Sequence, residues 1–361
     1  MLAIYSRGRE AMVMARRCAF FLALMGVVTL NAYSQVRAPL KLMQVIPISK
    51  VKSRFDHFGI DLKDLRLFVP AEQAKAVEVF DLRKGRLSYA LSGFAKPHGI
   101  YYRPESDELF VSDDDGTVKV FRAAGGSYSL VKTVKLTLSR AGAMRYDPAG
   151  QRLYVGNYRR SESDSGSDYV LLGIIDARTD RHVGDIRLRG RIMKAFAIER
   201  TGPRIFVAIK DRDEVAVVNR RRGIETAEWR LHGADFPYAV TLDEAHHRLF
   251  VVTRKPGMLL VLDSDSGRQI ASLPAPAGVD DAYYDKAHQR IYVSAGVGSS
   301  PEGYIAVYKQ LDADHYRPIA TILTGAASAT SLLVPQLNRY YVVAQRNGAR
   351  DAEVRVYQVE P

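Results

Sequence analysis

Residues 242–253 read LDEAHHRLFVVT: a polar turn, an arginine, then an uninterrupted apolar run. Adjacent histidines beside two acids invite a metal site, but the same layout recurs along the chain. IDLKDLRLFVPA (60–71), YRPESDELFVSD (102–113), YDPAGQRLYVGN (146–157), IERTGPRIFVAI (198–209), YDKAHQRIYVSA (284–295) and VPQLNRYYVVAQ (334–345) superimpose on it. The common elements are a polar turn, a basic or polar residue, and [LIY]-[FY]-V. The valines of this motif are Val69, Val111, Val155, Val207, Val251, Val293 and Val342, separated by 42, 44, 52, 44, 42 and 49 residues. Self-similarity at such a period marks a propeller or a solenoid.

Each copy carries further strand-like segments. A third strand follows the valine (AVEVFDL, 76–82; EVAVVNR, 214–220; LLVLDSD, 259–265), then a turn, then a fourth (RLSYALSG, 86–93; TAEWRLH, 226–232; QIASLPA, 269–275). Short runs rich in Val, Ile, Tyr and Phe, bounded by Gly, Asp and Asn, are strand signals. No stretch sustains a helical period. Four strands per repeat predict blades rather than helical pairs. The seventh copy ends after three strands, so KLMQVIPIS (41–49) is predicted to supply the fourth and cover the exposed blade edges. The expected fold is therefore all-β: a seven-bladed β-propeller with four-stranded antiparallel blades, closed by the N-terminal strand.

Within this frame His246-His247 fall in the turn between the first and second strands of blade five. The matching residues are Gly150-Gln151 in blade three and His288-Gln289 in blade six. A solvated turn is expected there rather than a metal. Arg220 to Arg222 read the same way. Asp113-Asp114-Asp115-Gly116 resembles part of a calcium loop but lacks the other ligands, and turn chemistry is the expectation.

The stretch RGREAMVMARRCAFFLALMGVVTLNAYSQ (7–35) has a basic start, an apolar middle and a small-residue end. That is the layout of a secretory signal peptide. Residues 1–34 are expected to be the leader and 35–361 a single propeller domain, periplasmic or secreted. The only cysteine, Cys18, lies in the leader. Disulfides, cysteine-bound zinc and thiol nucleophiles are thereby excluded from the remainder. The formal charge is +12, of which the leader's four arginines and one glutamate supply +3, leaving +9. Such a balance suits an anionic partner. A monomer without a membrane span is expected.

First strands line a propeller's channel, and the loops entering them share a face with the second-to-third-strand loops. The entering residues are Asp56-His57, Pro97-His98, Gly142-Ala143, Lys194-Ala195, Pro237-Tyr238, Asp280-Asp281 and Thr330-Ser331. The other loops bring Lys75, Asp113 to Asp115, Arg159-Arg160, Lys210 to Arg212, Arg254-Lys255 and Arg346. Convergent polar groups in a concavity define a candidate ligand site. The candidate set is Asp56, His57, His98, Lys194, Tyr238, Arg254, Asp280, Asp281 and Ser331. His57 and His98, with Asp56 or Asp280-Asp281, have the chemistry for a metal or an acid–base pair. The plainer expectation is that each hydrogen-bonds a neighbouring blade. No metal and no cofactor are expected: there is no G-x-S-x-G, P-loop or dinucleotide motif, and the sole tryptophan, Trp229, sits in a fourth strand. The polar segment 158–168 is the longest loop on this face and reads equally as a flexible lid or as a disordered stretch without function.

LYVGN (153–157), LFVVT (249–253) and IYVSA (291–295) resemble the YVTN repeat. From about residue 40 to 360 the chain resembles the YncE-like seven-bladed propellers exported by bacteria. The resemblance implies a ring of polar residues at the channel entrance, which Asp56-His57, Pro97 to Gly99, Asp280-Asp281 and Thr330-Ser331 fit. Gly142 to Met144 and Met193 to Ala195 depart from the family's usual residues. The founding members are associated with DNA. Aromatic residues on this face are few, Tyr158 and Tyr238, which disfavours stacking on single strands. The leading expectation is a non-catalytic binding or scaffold propeller for an anionic ligand or a protein partner, with nucleic acid among the candidates. The alternative is a lyase or lactonase-like hydrolase using His57 or His98.

Overall fold

The computed structural model describes residues 38–49, 51–159, 168–296, 302–348 and 350–361. The expected leader, Arg160 and most of the 158–168 loop lie outside these residues. Within them, twenty-eight strands form seven four-stranded antiparallel sheets. Strand β1 (Leu40–Ile48) comes first in the chain and belongs to the last blade. Blade one is a meander of β2 (Gly59–Asp61), β3 (Arg66–Ala71), β4 (Ala76–Asp81) and β5 (Arg86–Leu91). Blades two to six repeat it, their first strands being β6 (Pro97–Arg103), β10 (Arg140–Asp147), β14 (Met193–Ile198), β18 (Asp235–Asp243) and β22 (Val279–Asp285). Blade seven holds β26 (Ser331–Val334), β27 (Arg339–Ala344) and β28 (Ala352–Val359), and β1 pairs with β28, Leu40 opposite Val359 and Ile48 opposite Ala352. No helix among the described residues is long and apolar enough to cross a membrane.

The apolar run of the repeat has a packing cause. Successive side chains of a strand point to opposite faces, so a blade sandwiched between two others needs apolar residues at every position. Leu249 and Val251 pack with Phe206 and Val217 of blade four. Phe250 and Val252, between them, pack with Ile291, Val293 and Tyr308 of blade six. All four side chains are fully buried. Each such burial stabilises the fold by roughly 1.5–3 kcal/mol, and the pattern repeats at every inter-blade seam.

The turns follow from aspartate chemistry. Asp61, Asp147, Asp243 and Asp285, each eight residues before the repeat valine, are buried where the first strand ends. Asp61 accepts the Lys63 and Asp64 N–H groups at 2.8 and 3.1 Å, an Asx turn. The histidines belong to the same device. His246 Nδ1 lies 2.7 Å from Asp243, and His288 Nδ1 lies 2.7 Å from Asp285 in the matching turn of blade six. His247 contacts Asp265 at 2.9 Å. Asp113 likewise accepts the Ala95 and Lys96 N–H groups at 2.8 and 2.6 Å and pairs with Lys119.

Candidate functional site at the channel mouth

A local irregularity aims the site residues. In blades two to six the pairing of first and second strands slips at the channel rim. The breaks fall between Pro97 and Ile100, Ala141 and Met144, Met193 and Phe196, Pro237 and Ala239, and Val279 and Asp281. Bulges of this kind bend a strand and re-aim a side chain. The residues in these breaks include His98, Gly142, Lys194, Tyr238 and Asp280, each thirteen positions before its repeat valine. Asp56 has the same offset in blade one. All six line a polar cavity of about 190 Å³ at the channel mouth. Gly142 contributes absence: a Cβ there would meet the Tyr158 hydroxyl at 3.0 Å, so the missing side chain makes room for Tyr158 at the wall.

Histidines and carboxylates interlock across blades. His98, buried, has Nδ1 2.5 Å from Asp56 Oδ2 and Nε2 3.1 Å from Asp114 Oδ1. Arg140 pairs with Asp114, and Lys96 lies 3.0 Å from Glu72. His57 Nδ1 lies 2.9 Å from Asp281 Oδ1, an ion-pair contact without hydrogen-bond alignment, and its Nε2 is 3.4 Å from Asp56. Burial opposes the His57 charge, but Asp281 and Asp56 outweigh it and raise its pKa to about 10. Burial likewise opposes ionisation of Asp56, yet His57 and His98 hold it well below the usual carboxylate range. His98 is also raised: burial disfavours its charge, while Asp114 and Asp56 prevail. These are the ordinary effects of opposite charges at close range.

A second cluster lies over blades four to six. The Arg254 guanidinium sits 3.2 Å from the Tyr238 ring centroid, and Lys194 Nζ lies 4.6 Å from it. Cations over a ring face are attracted by its quadrupole. Arg254 Nε donates to the Val279 carbonyl at 2.7 Å, and its contact with Asp280 is longer, 3.5 Å.

Of the nine candidate residues, Asp56, His57, His98, Lys194, Tyr238 and Asp280 share the cavity wall. Arg254, Asp281 and Ser331 do not. Arg254 stacks behind Tyr238. Asp281 is buried and accepts the Ser331 N–H at 2.9 Å. Ser331 is wholly buried, its hydroxyl shared with Ser294 at 2.7 Å and Tyr340 at 2.9 Å. Its place as a ligand-facing group is corrected: it ties blade six to blade seven. Lys75, Arg159, Lys210, Lys255 and Arg346 also lie outside the cavity wall.

Arg54, Glu72, Lys96 and Arg140 line the cavity without having been singled out from sequence. Arg54, Lys96 and Arg140 each precede a rim residue by two positions, and Glu72 stands three beyond its repeat valine, matching Asp114 and Tyr158. Asp56, Glu72 and His98 offer ligand atoms within 4.8 Å of one another, the one such trio among the described residues. Lys96 beside Glu72 and Arg140 beside His98, at 3.5 Å, already bring positive charge to it, so it is an ion-pair network rather than a ready cation cage.

The fold and the rim define a seven-bladed β-propeller with a polar site at the channel mouth. No protein-family model matches the chain, and no curated protein does. Among solved structures, a chain from "Crystal Structure of Mitotic Checkpoint Complex" is similar, with a TM-score of 0.72 and 13% identity over 97% of this chain and 100% of that one. At that identity the likeness is one of fold alone, and unrelated functions share this fold.

Proposed function

We propose that the protein is a non-catalytic binding propeller that recognises an anionic ligand at its channel mouth, exported to the periplasm or beyond, with repeats of the YVTN type. The observation carrying this reading is Lys194. It occupies a rim bulge and faces the cavity, and no carboxylate among the described residues lies within ion-pair distance of it. Counting Lys194, the wall holds six basic side chains, with Arg54, His57, Lys96, His98 and Arg140, against three acidic ones, Asp56, Glu72 and Asp280. Low-dielectric walls focus that excess. The small volume suits a compact anion or the charged end of a larger molecule. Acid–base chemistry has less support: both His98 nitrogens face carboxylates, and His57 stays protonated far above neutrality.

The test is equilibrium binding of small sulfates and carboxylates, an acidic glycan and an oligonucleotide across a salt series. Wild type is expected to bind at least one of them, more weakly as salt rises, and Lys194→Glu to lose it. Equal affinity in both proteins, or indifference to salt, overturns the reading.

A further inference from the structure

Resting on that reading, we propose that the channel-mouth site takes up its anion together with a proton, and that Asp280 is the group that carries the proton. Three carboxylates, Asp56, Asp280 and Asp281, surround His57, and the countercharges are unevenly shared among them. Asp56 has two imidazoliums, with His98 Nδ1 at 2.5 Å and His57 Nε2 at 3.4 Å. Asp281 has His57 at 2.9 Å and the Ser331 N–H. Within 4 Å Asp280 has only the Arg254 guanidinium, at 3.5 Å, and that group spends its Nε on the Val279 carbonyl, while His57 acts on it from farther off. It is the least compensated carboxylate of the three, and the one of that blade's adjacent pair that faces the cavity.

Its surroundings leave it no better partner. Blade one presents His57 and Asp56, its own strand presents Asp281 and Tyr283, and blade five presents Arg254 and Tyr238. Two of these are like charges. An anion seated against Lys194, on the same cavity wall, adds another. Like charges in one site favour protonation of the group that gains least from ionising. Once protonated, Asp280 becomes a hydrogen-bond donor to the anion's oxygen. Burial, together with Asp281 and Asp56, already sets its pKa at about 6 against the opposing pull of His57 and Arg254. Its neighbours Asp56 and His57 keep their charges throughout the neutral range. The proton taken up with the anion is assigned to Asp280, which faces the cavity with one countercharge within 4 Å, whereas His98 is held between Asp56 and Asp114. Such a site favours its ligand in mildly acidic surroundings and releases it as the pH rises.

Sulfate is a suitable probe, since it does not titrate between pH 5 and 8. Its affinity is measured at fixed ionic strength across that range, and the Asp280 carboxyl is followed by carbon NMR with and without sulfate. Wild type is expected to lose affinity as the pH rises between the Asp280 midpoints of the free and the sulfate-bound protein, by about tenfold in all for each unit that separates them. Sulfate is expected to move the Asp280 midpoint upward by at least about one unit. Asp280→Asn, which keeps the shape and a donor but cannot ionise, should show a much flatter profile than wild type. Sulfate binding that is pH-independent in wild type, an unmoved Asp280 midpoint, or an unchanged slope in Asp280→Asn overturns the proposal while leaving anion binding intact. Failure of wild type to bind sulfate at any pH overturns the proposal, and the reading of an anion site falls with it only if the carboxylates, the glycan and the oligonucleotide fail as well.

Discussion

Ring closure rests on two isoleucines of β1. Ile46 and Ile48 are wholly buried and face Val354 and Ala352 across the β1–β28 ladder. They belong to the core cluster holding Leu67 and Phe80 of blade one and Tyr341 of blade seven, so they fasten the last blade to the first. Met43, in the same strand, is 52% exposed. Truncating a buried isoleucine to alanine costs about 2–5 kcal/mol, from lost transfer energy and the cavity left behind. A surface change is usually within about 0.5 kcal/mol. Total stability of a domain is of order 5–15 kcal/mol, so Ile46→Ala with Ile48→Ala is expected to consume most of it. The assay is urea unfolding followed by tryptophan fluorescence and circular dichroism, comparing the two single variants, the double variant and Met43→Ala. Each isoleucine variant is expected to lower the midpoint clearly and Met43→Ala hardly at all. Isoleucine variants indistinguishable from Met43→Ala would mean that β1 does not close the ring.

Two further outcomes follow from the ion network and the turns. His57 binds its proton more tightly folded, at about 10, than unfolded, near its ordinary 6.5. Its contribution is complete below pH 6.5 and is lost as the pH rises toward 10, on the order of a few kcal/mol. Denaturant midpoints of wild type should fall across that window faster than those of His57→Asn, and parallel curves would refute the coupling. The double change His246→Ala with His247→Ala, at half-exposed turn positions, should shift unfolding by less than about 0.5 kcal/mol and leave anion binding unaltered; a lost ligand or a large shift would return a functional role to that turn.

The repeat was legible because its cause is local and periodic: a blade buried on both faces writes four apolar residues in a row, and LFVV at 249–252 cannot serve a half-exposed sheet. Six rim residues were legible because they open the first strands. Asp281 and Ser331 were included by adjacency, but alternation along a strand turns Asp281 away from the channel while Asp280 faces it. Glu72, Lys96 and Arg140 are not legible in the sequence because a charged residue beside a strand end reads as solvated surface. Only the cross-blade geometry, which brings Lys96 to Glu72 and Arg140 to His98, distinguishes them.

The rim bulges have a consequence for how such a molecule changes over generations. The residue in each break points into the channel mouth, while the neighbours that pack the seams, such as Phe196 and Ala239, remain in the core clusters. Chemistry and architecture therefore occupy different positions of the same strand. One tooth of the key, such as Lys194 or Tyr238, can be recut without reshaping the lock's frame. Because the teeth sit on separate blades, their effects on recognition should combine nearly independently wherever the side chains do not touch. A new specificity can then be reached through a series of single, well-folded intermediates.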